Sequence, residues 1–174
     1  MQGIERWIER LEKFGPCGGA VEWARTQPDP QALWDNCERG DWLLWLMGRL
    51  AGGPRSKSRK QLVLAACECA RLALPYVKGG ELRPLRAIET AEAWAKGKAE
   101  LKDVRAAAYA AAAAGAAAYT AVAGAAAYAA AVAGAAAYAA DATDAAAAAA
   151  ARSEVLKECA DIARKYHPKA PRLL

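Results

Sequence analysis

Residues 106–151 read AAAYAAAAAGAAAYTAVAGAAAYAAAVAGAAAYAADATDAAAAAAA. Alanine is interrupted only by Tyr, Val, Thr and Gly and by the pair Asp141 and Asp144, with no Lys, Arg, Glu, Cys, His or Trp anywhere in the stretch. A segment without nucleophiles, metal ligands or cations holds almost no chemistry, so its information is architectural. Alanine is the strongest helix former, and its small side chain lets helix backbones approach closely. The tract therefore reads as helix, and the fold class follows from it.

A near-repeat, Gly-Ala-Ala-Ala-Tyr, stands at Gly115–Tyr119, Gly124–Tyr128 and Gly134–Tyr138, with Tyr109 as an earlier partial copy. At roughly 100° per residue, spacings of ten, nine and ten turn successive tyrosines by about −80°, 180° and −80°. They share no face, so a tyrosine ladder for stacking bases is excluded. One straight helix from Ala99 to Tyr166 would be about 100 Å long, too long for a domain of this size. The tract must fold back, and Gly115, Gly124, Gly134 or the Asp141–Asp144 group are where it can do so. Two or three antiparallel helices in Ala-on-Ala contact are expected, with Asp141 or Thr143 capping the last one. A membrane span is disfavoured, because the tract lacks the Leu, Ile and Phe that drive insertion.

Bulky core material lies upstream, since all six tryptophans precede the tract. Ile4, Trp7, Ile8 and Leu11 form the apolar side of a first helix, which Gly15-Pro16 closes. A short helix around Ala20–Arg25 follows. Asp29-Pro30 then opens a helix carrying Leu33, Trp34 and Cys37. Asp41 is placed as the N-cap of a helix apolar nearly all round, through Trp42, Leu43, Leu44, Trp45, Leu46, Met47 and Leu50. Ser58 is expected to cap a helix running to about Leu74, with Leu62, Ala65, Ala66, Cys69 and Leu72 on its small-residue face. Arg83-Pro84 starts another, burying Leu85, Ile88 and Trp94 and ending at Gly97. The expected fold is all-α: a single-domain multi-helix bundle with a close-packed, Ala-rich antiparallel layer in its second half. Residues 1–104 supply the Trp-rich helices, 105–166 the Ala-rich ones, and 167–174 a tail.

The formal charge is +5. The excess is mild and spread along the chain, unlike the dense stripe of a dedicated nucleic-acid protein. Its sharpest run, Arg55, Lys57, Arg59 and Lys60, sits in a Gly/Pro/Ser loop and is the candidate partner-binding element. Arg164, Lys165, Lys169 and Arg172 add a second basic group. The Trp42/Trp45 pair is a natural interaction element and equally ordinary core. The five cysteines are odd in number, and no secretory leader is evident, which points to reduced thiols in the cytoplasm. Cys67-Glu-Cys69 places its thiols about 200° apart on a helix, so they do not clamp one metal, and both read as small core residues. Cys17 lies in a loop without a histidine nearby in sequence. His167, the only histidine, precedes a proline in the terminal segment and reads as exposed. Asp141 and Asp144 read as caps. No catalytic, metal or cofactor residue is assigned, and the chain is expected not to be an enzyme.

Asp41–Leu50, Ala70–Tyr76 (Ala-Arg-Leu-Ala-Leu-Pro-Tyr), Leu85–Trp94 and Glu154–Tyr166 together resemble an all-helical family of immunity proteins from bacterial polymorphic-toxin systems, also found in phages. The resemblance spans roughly Cys17 to Tyr166 and rests on core-like motifs. It implies a small cytoplasmic protein that binds and blocks a toxin, and it offers no catalytic residues. A nuclease inhibitor tends to be acidic, to match a basic cleft. A basic chain suits a neutral or acidic toxin better. The alternative is a nucleic-acid-associated helical protein using residues 55–60 and the C-terminal end. Self-association is left open.

Overall fold

The computed structural model describes residues 2–76, 80, 82–114 and 145–173. Among these, every regular element is helical: α1 (Gln2–Glu12), α2 (Gly18–Arg25), α3 (Pro30–Asn36), α4 (Gly40–Leu50), α5 (Lys57–Arg71), a 3-10 turn (Leu74–Tyr76), α6 (Arg83–Ala95), α7 (Leu101–Ala114) and α8 (Ala145–Tyr166). The all-α reading is met. The tyrosine repeats after Tyr109, the three tract glycines and Asp141–Asp144 lie outside the described residues, and so does the fold-back.

Local chemistry sets the helix ends. Asp29 caps α3 as expected, accepting from Ala32 N at 2.8 Å with Pro30 in the first turn. Two other caps differ from the sequence reading. Ser56, not Ser58, caps α5, accepting from Arg59 N at 3.1 Å. Ser58 Oγ instead accepts from Gly52 N at 3.2 Å, tying the preceding turn. Arg39 occupies the N-cap position of α4, and Asp41 lies in the first turn. There Asp41 accepts Arg39 Nε at 2.8 Å and Nη2 at 2.6 Å, a two-pronged pair beside the helix's positive end. α6 ends at Gly97 with φ +76°, where Gly97 N donates to Trp94 O at 2.9 Å and Lys98 N to Ala93 O at 2.7 Å. That double closure needs a left-handed residue, which glycine adopts without strain. Asp103 then accepts Glu100 N at 2.9 Å and starts α7.

Two apolar clusters hold the helices. The larger joins Trp7, Ile8 and Leu11 of α1, Leu33 and Trp34 of α3, Leu43, Leu44, Leu46 and Met47 of α4, and Cys159, Ala160 and Ala163 of α8. The smaller joins Val63, Cys67 and Ala70 to Ile88, Ala91 and Ala95 of α6, with Trp94 and Val104 at its edge. α5 serves both, because Leu62, Ala65 and Cys69 face the first cluster while Val63, Cys67 and Ala70 face the second. The sequence reading gave α5 one apolar face; it has two. This divides the Cys-x-Cys pair as its helical phase requires, one thiol into each cluster. On α6, the buried positions are Ala87, Ile88, Ala91 and Ala95, while Leu85 and Trp94 are half-buried. α7 packs on α6, and α8 packs on α4 and α5.

The residues after Tyr166, expected as a tail, form a strap across α1 and α3. Trp34 Nε1 donates to His167 O at 2.7 Å and Trp7 Nε1 to Pro171 O at 3.0 Å. Ala170 N donates to Gln31 Oε1 at 2.9 Å, and Arg10 donates to Leu173 O. Leu173 is 2% exposed, inside the main cluster. Extended backbone leaves its carbonyls unpaired, and two indole N–H groups at the core edge need acceptors, so each satisfies the other.

Candidate functional site

Three surfaces collect functional side chains. The first is a charged cleft of about 330 Å³ lined by Leu64, Glu68 and Arg71 of α5, Glu92 of α6, Lys96 just after it, and Tyr166 of α8. Its charges are matched. Arg71 Nε donates to Glu92 Oε1 at 2.9 Å, with Lys96 Nζ 3.8 Å from Glu92 Oε2. Lys165 Nζ donates to Glu68 at 2.7 and 2.9 Å, and Tyr166 OH to the same carboxylate at 3.1 Å. The Arg71 hydrogen bond holds the Glu92 carboxyl below its ordinary range, and burial followed by the Glu68 carboxylate raises the Tyr166 phenol.

Because Glu92 is depressed only in the folded protein, its contribution is fully present above the ordinary glutamate pKa. It is lost as pH falls through the lowered folded value. Glu92→Gln should therefore cost up to about 1 kcal/mol at pH 7, since the pair is partly solvent-screened. The gap to wild type should close in acid. Urea unfolding of both proteins at pH 7 and pH 3 measures it, and an unchanged gap at pH 3 contradicts the assignment.

The second surface is the outer side of α4. Trp42 and Trp45 are half-buried, three residues apart, and each carries a guanidinium over its ring. Arg39 Cζ lies 4.4 Å from the Trp42 centroid and Arg49 Cζ 5.4 Å from that of Trp45. Trp23 of α2 leans on Trp42 with centroids 6.0 Å apart. Beside them opens a cleft of about 270 Å³ bordered by Asn36, Glu38 and Ser153. Sequence reasoning singled out Trp42 and Trp45. It missed Arg39, Arg49 and Trp23, although the i, i+3 and i, i+4 spacings around the two α4 indoles were a usable signal.

The third is the basic run. Arg55 is exposed in the turn before α5, and Lys57, Arg59 and Lys60 lie in the first turn of α5 rather than in a loop. Arg59 is engaged structurally, donating from Nε to Gly52 O at 3.0 Å and from Nη2 to Ala51 O at 3.1 Å. It satisfies carbonyls just past the C-terminus of α4. Arg55 and Lys57 are the fully exposed members. In the second basic group, Arg164 donates to Trp34 O, Cys37 O and Asp161, and Lys165 is held by Glu68. Only Lys169 and Arg172 of that group are exposed without such ties to α3 or α5.

The residues weighed for chemistry are dispersed. His167 is half-buried, not exposed: the strap seats it and burial lowers its pKa. Cys37, Cys67, Cys69 and Cys159 are buried, and burial pushes the Cys37 thiol to about 11 and the Cys67 thiol to about 12. Cys69 is also raised, through its contact with Cys159 and burial. Cys17 alone is exposed. A thiol reagent should therefore modify one cysteine quickly and the other four only on unfolding, because the thiolate is the nucleophile. Counting fast thiols in wild type and Cys17→Ser tests this, and a second fast thiol in the native protein contradicts it. Among the described residues, no cluster of His, Cys, Asp and Glu is arranged to hold a metal, and no helix is long and apolar enough to cross a membrane.

A family model described as Imm-5 like putative immunity protein matches residues 54–167, from the turn before α5 through the start of the strap. The match takes in the whole charged cleft, the two-sided helix α5 and all of α8. No curated protein and no solved structure matches the chain.

Proposed function

This chain belongs to the Imm-5 like putative immunity protein family, and from that premise we propose that it is a toxin-neutralising binding protein without catalysis of its own. The family match over residues 54–167 carries the reading. The chemistry of the surfaces agrees with it. The cleft charges are consumed in mutual pairs, four thiols are buried, three of them (Cys37, Cys67 and Cys69) shifted away from thiolate by their surroundings, and the lone histidine is half-buried. The half-buried indoles of α4 and the exposed Arg49 beside them are of the residue types that dominate protein interfaces. With a charge of +5, the chain suits a neutral or acidic toxin rather than a basic nuclease.

Co-expression with the toxin gene neighbouring it in the source genome tests the reading. Survival of cells that the toxin alone kills is expected, together with co-purification of the two proteins. Death at wild-type rate despite soluble expression rejects it. The second reading, nucleic-acid association, draws on exposed Arg55, Lys57, Lys169 and Arg172. It requires binding that weakens steeply with salt as counterions are released. A flat salt response rejects that reading.

A further inference from the structure

Trp42, Trp45 and Arg49 fall at spacings of three and four on α4, within one arc of about 60° on the side away from the buried Leu43, Leu44 and Met47, and Arg39 stands at the N-cap three residues before Trp42. Both indoles are half-buried and carry a cation over the ring, 4.4 Å away for Arg39 and 5.4 Å for Arg49. A guanidinium lying over an indole has its face covered while its N–H edge stays free to donate in plane. Such an edge fits a carboxylate with two parallel hydrogen bonds. Arg39 already shows that preference by gripping Asp41 at 2.6 and 2.8 Å. Arg49 is exposed, and among the described residues it lies over the Trp45 ring and pairs with no carboxylate.

We propose that this stripe, Arg39, Trp42, Trp45 and Arg49 with Trp23 alongside, is the surface that grips the toxin, and that the toxin presents carboxylates to it. The proposal rests on the toxin-binding reading above and adds the place and the partner's chemistry. Arg49 supplies the unmet charge, and the positive balance of the chain favours an acidic approach. The indoles supply flat apolar area with little rotamer freedom to lose. The 270 Å³ cleft bordered by Asn36, Glu38 and Ser153 is open beside Trp23 and Trp42, with room for a partner side chain. The stripe lies outside residues 54–167. A surface that selects one partner is free to differ between relatives that share a scaffold.

The test uses the full chain and a catalytically inactivated form of the neighbouring toxin, with affinity measured by calorimetry at several salt concentrations. Arg49→Glu and Trp42→Ala should each weaken binding by at least about thirtyfold, the scale of an interface hot spot. Arg86→Glu, exposed on α6, should leave it within about threefold. Arg49→Glu should also flatten the salt dependence, whereas Trp42→Ala should not. Circular dichroism of each variant separates lost contact from lost fold, and Arg49→Ala replaces Arg49→Glu if the latter is unfolded. Wild-type binding that neither stripe variant changes overturns the surface and leaves the toxin-binding reading standing. Absence of wild-type binding overturns that reading and this proposal with it.

Discussion

Gly40→Ala is expected to destabilise the protein by about 3 kcal/mol or more, the upper range of overpacking in a core. A Cβ built on Gly40 would stand 2.4 Å from Cys159 Cβ and 2.6 Å from both Ala160 N and Cys159 C. Two of those atoms are backbone of α8, so relief requires moving a helix rather than turning a side chain. α8 cannot move freely, because Cys159, Ala160 and Ala163 are all in the main cluster. For a chain of this length the shift in Tm should be roughly 6–12 °C. Gly53→Ala is the control: nothing lies within 4 Å of its added Cβ, and its change should stay within about 0.5 kcal/mol. Thermal unfolding of the two variants side by side decides. Equal Tm values would mean that α4 and α8 do not meet at Gly40.

Trp34→Ala should be the most damaging single truncation, at about 4 kcal/mol. The side chain is 0% exposed in the main cluster, and its indole N–H satisfies His167 O at 2.7 Å. Alanine leaves a cavity and releases the first anchor of the strap. Trp34→Phe keeps most of the apolar volume and removes only the donor, so its cost should fall to roughly 1–2 kcal/mol. Urea unfolding gives the magnitudes, and trypsin reads the strap. Lys169 and Arg172 should be cut sooner in both variants than in wild type. If the strap resists trypsin equally in all three proteins, the Trp34 bond does not hold it.

Much of the fold was legible along the chain because its causes are local. Asp29-Pro30, Arg83-Pro84 and Gly97 act on groups within four residues, and each marks a helix end where expected. The α1 stripe of Trp7, Ile8 and Leu11 is buried as its spacing implies. Choices between equivalent local partners were not legible. Ser56 and Ser58 are both competent caps, and what separates them is the turn at Gly52 that occupies Ser58. Asp41 is a good cap by type, but Arg39 engages its carboxylate.

The candidate surfaces divide in the same way. Trp42 and Trp45 stood out by residue type, and their cations lie within four residues. The charged cleft was invisible, because Glu68 and Lys165 are 97 positions apart and only the packing of α8 on α5 brings them together. The basic run looked like one patch in sequence. In the structure Arg59 turns inward to carbonyls of Ala51 and Gly52, leaving Arg55 and Lys57 outside.

By itself, the sequence determined that this protein is helical, where many of its helices start and stop, and that Cys67 and Cys69 are core material. Those outcomes depend on propensity, capping and helical phase, which act over a few residues. Tertiary structure decided that α5 is shared by two clusters, that α4 approaches α8 at a glycine, and that the last residues are a strap. Each depends on which distant surfaces meet, and no local preference carries that information.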